Sequence, residues 1–209
     1  ELRTPLTSLR ANTELLERPE IGDIERGRIL SDIRSEVDAL TSISGELATL
    51  AVDQRNTEEL LDVGLADATA VVVERVRRRT ARVVNLEASD HASPPSVVAL
   101  RLSQFERALG NLLDNAVKFS PAESSVDVRV SGASVAVIDH GPGVGDDEKQ
   151  KVFTRFYRSA ATRAMPGSGL GLAIVEQFAR DHDATVRVTD TPGGGATFTL
   201  RFSRGAEGN

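Results

Sequence analysis

A chain of 209 residues, 40% hydrophobic and 27% charged, is long enough for one large domain or two small ones. Its net charge of −6 argues against general nucleic-acid binding, and its 4% aromatic content argues against a stacking surface for bases. It has no cysteine for disulfides or thiolate chemistry, and no apolar run near the roughly 20 residues that span a bilayer.

The first 54 residues have the spacing of a helical hairpin. In ELRTPLTSLR and the residues after it, leucines recur at intervals of three and four, the spacing of a heptad seam. The stretch ERPEIGD interrupts this pattern, and a second run from Ile29 to Leu50 repeats it. Two such helices cannot bury both seams alone, so residues 1–54 predict an antiparallel hairpin that dimerises as a four-helix bundle. The alternative is a helical arm packed on the rest of the chain.

After a short polar linker, RNTE at 55–58, residues 59–209 mix strands and helices. The predicted strands are LLDVG, RVVNLEA, SVVALRL, SVDVRVS, SVAVIDHG, TVRVTD and ATFTLRF. The predicted helices cover about 66–80, 103–119 and 169–181. Strands grouped beside helices favour an α+β domain in which helices cover one face of a mixed sheet.

The stretch NLLDNAVKF places polar side chains on one face of a predicted helix. Asn111, Asn115 and Lys118 stand at positions i, i+4 and i+7. An amide oxygen is a hard ligand that Mg²⁺ accepts beside phosphate oxygens and water, and a lysine offsets phosphate charge. The face therefore suits a polyphosphate with magnesium, and a solvated helix face is the alternative.

The stretch VIDHGPGV joins an apolar strand to a glycine-containing turn. Asp139, at the end of the strand, can accept a hydrogen bond from an amine such as the exocyclic amine of adenine. Gly141 and Gly143 allow the backbone to approach a ligand or to adopt positive φ. An ordinary turn is the alternative.

Two further stretches are rich in glycine. In GSGLGLAIV, Gly167, Gly169 and Gly171 lead into an apolar helix, whose exposed N–H groups favour anions. The spacing is neither that of the dinucleotide fingerprint nor that of a Walker A loop. In GGGATFTL, Gly193–Gly195 and Thr197 form a turn into the last strand, for which a plain hairpin turn is the alternative.

The order of these motifs along the chain resembles the ATP-binding domain of sensor histidine kinases. The N-terminal ELRTPLTSLR resembles the H-box of the same kinases, in which the phosphoacceptor histidine immediately precedes Glu-Leu-Arg-Thr-Pro. The resemblance implies a dimerisation and histidine-phosphotransfer hairpin at 1–54. It also implies, at 59–209, an α/β sandwich ATPase domain of the gyrase/Hsp90/histidine kinase type.

The resemblance implies that ATP and Mg²⁺ are the cofactors and assigns roles to individual residues. Asn115 would coordinate Mg²⁺, Lys118 would contact phosphate, and Asp139 would accept from the adenine amine. The residues implied to bind the nucleotide are Asn111, Asn115, Lys118, Phe119, Asp139, Gly141, Gly143, Gly167, Gly169, Leu170, Gly171 and Thr197.

Residues 144–168 would form a mobile ATP lid, anchored by the aromatic side chains of Phe153 and Phe156. Arg158 would reach the γ-phosphate, with Arg155 as a weaker rival.

Two residues of the H-box would take part in catalysis. Glu1 would act as the general base or orienting carboxylate for the phosphoacceptor imidazole. Thr4 would help to hold the attacking water during phosphatase action on a response regulator.

The implied activity is transfer of the ATP γ-phosphate to a histidine directly before Glu1 and then to an aspartate of a response regulator. The parent protein is expected to be anchored in the inner or plasma membrane by an upstream segment, with this core on the cytoplasmic face. His91, His140 and His182 are predicted to be surface or loop histidines, so the chain as printed is expected not to autophosphorylate. The alternatives are a nucleotide-binding scaffold without transfer activity, and an ATPase or serine-directed kinase of the same superfamily.

Overall fold

The structure, a computed structural model, describes residues 3–18, 21–34, 36–37, 40, 58–89, 97–159, 162, 165 and 167–203. Its N-terminal part contains helix α1 (Arg3–Leu16) and helix α2 (23–34), so both predicted helices are confirmed over these ranges. Glu1, the side chain of Thr4 and the leucine spacing at 43–50 lie outside what is described. No described helix combines the length and apolar character that crossing a membrane requires.

The second region contains the remaining elements. In chain order they are β1 (Leu61–Gly64), α3 (Leu65–Thr80), β2 (Val84–Ser89), β3 (Val97–Leu100), α4 (Leu102–Phe119), β4 (Val126–Ser131), β5 (Ser134–Ile138), a short 3-10 helix (Lys151–Phe153), α5 (Gly171–Asp181), β6 (Ala184–Asp190) and β7 (Ala196–Phe202). Each predicted strand and helix is present, with ends that differ by at most three residues, and the largest difference is at β5, which was predicted to run to Gly141. The predicted α+β class is confirmed.

The main sheet is mixed and has the strand order β2-β4-β5-β7-β6. Strand β2 runs parallel to β4, and the other neighbours are antiparallel. Strands β1 and β3 form a separate antiparallel pair. In β7, Ala196, Phe198, Leu200 and Phe202 are buried, whereas the residues between them are partly or fully exposed. This alternation gives the sheet one covered face, as predicted.

Helices α3, α4 and α5 cover that face. Phe105, Leu109 and Leu112 of α4 are fully buried, and each such side chain contributes about 1.5–3 kcal/mol through removal of its surface from water. The ring of Phe105 lies 6.0 Å from that of Phe178 in α5 and 6.2 Å from that of Phe202 in β7. Helix α4 is therefore fixed along one side, and its opposite side is left for polar residues.

The start of α4 is bound by the segment that leads into this region. No side chain of α4 caps its own N-terminus. Instead, the Ser103 N–H donates to Glu58 Oε1 (3.1 Å), and the Ser103 hydroxyl donates to Glu58 Oε2. Burial raises the pKa of Glu58, but the hydrogen bonds from Ser103, the charge of Arg101 and the Leu102 N–H together outweigh it and lower the pKa overall. A carboxylate thus satisfies donors at the positive end of the helix dipole.

His182 is buried at the C-terminal end of α5, so its prediction as a surface or loop histidine is wrong. Its Nδ1 lies 2.8 Å from the Phe178 carbonyl oxygen, and its Nε2 accepts from the Arg101 N–H (3.1 Å). Because a backbone N–H can only donate, Nε2 has no proton and the ring is the neutral Nδ1–H tautomer. His140 lies in the loop after β5, as predicted, and His91 is outside the described residues.

Burial lowers the pKa of His182 below its ordinary value of 6.5. Below that pH, His182 is protonated in the unfolded chain but still neutral in the folded chain. The stability contributed by the neutral ring is therefore lost as the pH falls. We expect acidification from about pH 7 to about pH 5.5 to lower the Tm of the unaltered chain by about 2 °C more than that of His182→Gln. His140→Gln serves as the control, and equal pH slopes for all three proteins would contradict this prediction.

Candidate functional site

A cavity of about 260 Å³ opens beside the polar side of α4. Its walls are α4, the loop after β5, the 142–159 segment, the residues that precede α5, and the start of β7. The predicted site residues that line it are Asn111, Asn115, Lys118, Phe119, Asp139, Gly143, Arg158, Gly167, Gly169 and Gly171. Residues from four separate stretches of sequence are therefore brought together around one space.

Asn111, Asn115 and Lys118 share the α4 face that lines the cavity, as their spacing predicts. Asn111 Nδ2 is buried and has no hydrogen-bond partner in the described part of the chain. A buried donor without an acceptor costs about 1–3 kcal/mol, which a ligand oxygen would recover. This unsatisfied amide and the neighbouring amide of Asn115 fit a phosphate oxygen and a magnesium ion, respectively.

Lys118 shares its corner of the cavity with Gly167. A Cβ on Gly167 would stand 2.7 Å from Lys118 Nζ, and the φ of Gly167 is +142°. Any side chain at 167 would displace the ammonium group. The ammonium also lies 4.7 Å from the centre of the Phe119 ring, a cation–π distance. The glycine thus leaves room for a cation beside the polar face of α4.

Asp139 is held through one of its two carboxylate oxygens. Oδ1 accepts from the N–H groups of Gly141 (2.9 Å) and Ala196 (3.0 Å), and the side chain is only 5% exposed. Within the described residues, Oδ2 accepts no hydrogen bond. A fixed, buried carboxylate with one free acceptor is suited to a ligand amine.

Two glycines in different loops allow the backbone to close around Asp139. A Cβ on Gly195 would stand 2.0 Å from the Asp139 carbonyl oxygen, and a Cβ on Gly141 would stand 2.7 Å from the Phe119 carbonyl oxygen. Real Cβ atoms do not approach backbone this closely, so both positions require glycine. Gly195 was noted in the sequence only as part of a turn, and its contact with Asp139 gives it a further role in the site.

The 3-10 helix and the residues after it carry the predicted lid anchors. The ring of Phe153 is buried and meets Phe198 edge-on at 6.3 Å. Phe156 has a φ of +65°, and its N–H donates to the Gly169 carbonyl oxygen (2.9 Å). A Cβ on Gly169 would stand 2.8 Å from the Phe156 backbone. Phe153 is therefore fixed by packing, whereas Phe156 is fixed through its backbone.

Arg158 lines the cavity, but its guanidinium also binds the loop that follows it. Nη2 donates to the carbonyl oxygens of Thr162 (3.2 Å) and Met165. In this conformation the side chain links Arg158 to Thr162 and Met165. Arg155 is exposed and does not line the cavity, which favours Arg158 among the two candidate arginines.

Three predicted residues lie beside the cavity without lining it. Gly141 stands against the Phe119 backbone, and Leu170 is fully buried just before α5. Thr197 pairs with Ile138 in the sheet, next to Asp139, and its hydroxyl lies 2.9 Å from that of Thr191. These three residues therefore lie next to residues that line the cavity, and their roles in binding stay predictions.

The cavity also includes residues that the sequence did not single out. Tyr157 lines it and donates through its hydroxyl to Glu148 Oε1 (2.8 Å), a contact within a loop that no periodicity signals. Asp114 lines it as well. Asp114 stands three residues after Asn111, so the helical spacing that identified Asn111 and Asn115 was sufficient to find it.

Known proteins resemble this chain in sequence and in fold. The family model for histidine kinase-, DNA gyrase B- and HSP90-like ATPases matches residues 101–206. A signal transduction histidine-protein kinase/phosphatase, MprB of Mycobacterium sp. (strain KMS), is 40% identical over an alignment of 210 residues. The alignment takes in 93% of this chain and 39% of MprB. The chain thus spans about two-fifths of the length of this relative.

Two solved structures extend the comparison. The mycobacterial sensor histidine kinase MprB is 33% identical with a TM-score of 0.58, over 70% of this chain and 97% of that one. Full-length ShkA, solved in complex with AMPPNP, is 25% identical with a TM-score of 0.65, over 97% of this chain and 44% of that one.

Proposed function

Because this chain belongs to the histidine kinase-, DNA gyrase B- and HSP90-like ATPase family as the core of a bacterial two-component sensor kinase, we propose that ATP and Mg²⁺ bind in its cavity and that this ATP donates its γ-phosphate to a histidine. One observation carries the proposal. Asp139, the amide face of α4 and the glycines before α5 converge on the same space.

Asp139 defines the adenine end of the proposed site. Its free Oδ2 would accept from the exocyclic amine of the base, while Oδ1 stays bound to the backbone. Gly143 would form the adjacent wall, and Gly141 and Thr197 would support it without lining the cavity. A carboxylate that is already held in place loses little freedom when it binds the base.

The polar face of α4 defines the phosphate end. Asn111 Nδ2 would donate to a phosphate oxygen, and Lys118 would offset phosphate charge beside Gly167. The Asn115 amide oxygen would hold Mg²⁺, with the remaining ligands supplied by phosphate and water. When bound there, magnesium would supply positive charge that offsets the negative charge developing on the transferring group.

The transfer step forms one bond and breaks one. An imidazole nitrogen attacks the γ-phosphorus, the new N–P bond forms as the bridging P–O bond breaks, and ADP leaves with the bond electrons. The imidazole proton passes to Glu1, which also orients the ring. Arg158 would exchange its bonds to the Thr162 and Met165 carbonyls for the γ-phosphate.

The proposed partners follow from the N-terminal region. Leu6 is 54% exposed and Ile24 82%, and Leu30 and Val37 are also exposed. These side chains are expected to be covered in a homodimer formed by α1 and α2. A histidine directly before Glu1, as the H-box resemblance implies, would pass its phosphate to a response regulator receiver domain. Thr4 would help to hold the attacking water in a separate phosphatase reaction on the response regulator, and an upstream segment would place the core at the cytoplasmic face of the membrane.

The proposal is tested with the protein extended upstream through that histidine and incubated with γ-labelled ATP. We expect label that is labile in acid and stable in base, the signature of phosphohistidine. Asn115→Ala is expected to reduce labelling by at least about 100-fold, because magnesium loses its protein ligand. Asn85→Ala is the matched control, since this asparagine lies on β2 and donates to Asp127 Oδ1 (2.7 Å) outside the cavity.

Other outcomes would favour other functions. Nucleotide binding without any label on the extended protein indicates a regulatory scaffold. Release of phosphate without label indicates an ATPase. The 209-residue chain itself is expected to bind ATP and to take up no label.

A further inference from the structure

Two ion pairs join α3 to α4, and only one of them reaches the cavity. Arg75 binds Glu106 at 2.9 Å, and Arg79 binds Asp114 through Oδ1. Asp114 lines the cavity and Glu106 does not. Among the described residues, Asp114 and Asp139 are the only acidic side chains in the cavity wall. Asp139 is buried directly after β5, whereas Asp114 belongs to α4. Asp114 is therefore the acidic residue on the helix that carries Asn111, Asn115 and Lys118.

A carboxylate on this face is at odds with a bare polyphosphate. Like charges a few ångströms apart repel, and the side chain of Asp114 is 48% exposed, so the repulsion is reduced by solvent but not removed. The interaction with Asp114 becomes attractive when the polyphosphate carries a divalent cation. Magnesium keeps part of its water shell, and a carboxylate is a strong acceptor for that water.

Arg79 fixes the position of the Asp114 carboxylate and offsets part of its negative charge. Its guanidinium binds Oδ1, which leaves Oδ2 without a hydrogen bond from the described residues. The arginine also cancels part of the negative charge of Asp114. The pair therefore presents one oriented oxygen and less than a full negative charge at the edge of the cavity.

We propose that Asp114, positioned by Arg79, makes the cavity select magnesium-bound nucleotide over metal-free nucleotide. The inference rests on the proposed nucleotide site and adds a specificity-determining residue to it. Asp114 repels a triphosphate that lacks the cation and accepts from the water of one that carries it. Arg79 is a positioning residue that limits the repulsion.

The test compares the affinity of a non-hydrolysable ATP analogue with Mg²⁺ and with a chelator, by calorimetry on the 209-residue chain. For Asp114→Asn we expect metal-free binding to tighten about threefold and magnesium-bound binding to weaken about threefold, so that the preference for magnesium falls about tenfold. For Arg79→Gln we expect metal-free binding to weaken about threefold, because Asp114 then keeps its full charge.

The opposite effects of the two substitutions on metal-free binding distinguish a role in specificity from a purely structural role. If the pair only joined α3 to α4, both variants would weaken binding alike, and that result would overturn the proposal. Glu106→Gln breaks the matched ion pair and is expected to leave the magnesium preference unchanged. An unchanged preference in Asp114→Asn, in a chain that binds nucleotide normally, overturns this inference alone. Failure of the unaltered chain to bind either form overturns the proposed function as well.

Discussion

Asp139→Asn is expected to weaken nucleotide binding by at least about 100-fold while the fold is retained. Asparagine has the shape of aspartate, so its oxygen still accepts from the N–H groups of Gly141 and Ala196. Its amide nitrogen then replaces the free acceptor oxygen, and a donor faces the donor of the ligand. The site loses a charge-assisted hydrogen bond and leaves two buried donors unpaired.

The measurement is a titration with a fluorescent ATP analogue, accompanied by a thermal melt. Asp127→Asn is the matched control, because Asp127 pairs with Ile138 in the sheet, directly before Asp139, yet does not line the cavity. It is expected to bind nucleotide within about twofold of the unaltered chain. Normal affinity in Asp139→Asn would remove Asp139 from the proposed site.

Gly195→Ala is expected to destabilise the fold by about 3–5 kcal/mol, because its new Cβ collides with backbone. The Cβ would stand 2.0 Å from the Asp139 carbonyl oxygen and 2.8 Å from the His140 Cα, and neither is the movable end of a side chain. The φ of +111° adds strain for any residue with a side chain. Relief of the collision must shift β5 or β7, so nucleotide binding is expected to fall along with the Tm.

Gly194→Ala separates the collision from the strain. Gly194 has nearly the same φ, +110°, but a Cβ there meets no atom within 4 Å. We expect this variant to lose only about 1–2 kcal/mol, measured by denaturant unfolding at equilibrium. Equal losses in the two variants would mean that backbone strain, and not contact with Asp139, makes glycine necessary at 195.

The polar face of α4 was predictable because it is local. Asn111, Asn115 and Lys118 fall on one side of a helix through helical geometry alone, and the buried leucines beside them fall on the other. The same reasoning covers Asp114. The α+β class was predictable for a similar reason, since alternation over a few residues indicates a strand with one buried face.

The burial of His182 was not predictable from its neighbours in sequence. Its Nε2 accepts from Arg101, and 81 residues separate the two along the chain. The same holds for Arg158, whose sequence position suggests a phosphate contact but whose guanidinium binds the Thr162 and Met165 carbonyls. The division into 1–54 and 59–209 stays a prediction, although the family match at 101–206 falls within the second range.

By itself, the sequence determined the helices, the strands, the amide face and the glycines that open the turns, because each depends on residues a few positions apart. Only the tertiary structure decided how these pieces meet. The register of β5 against β7 brings Gly195 against Asp139, and the packing of α3 on α4 brings Arg79 to Asp114. Both contacts join residues far apart in the chain, and side-chain packing in the core, rather than any local pattern, sets their geometry.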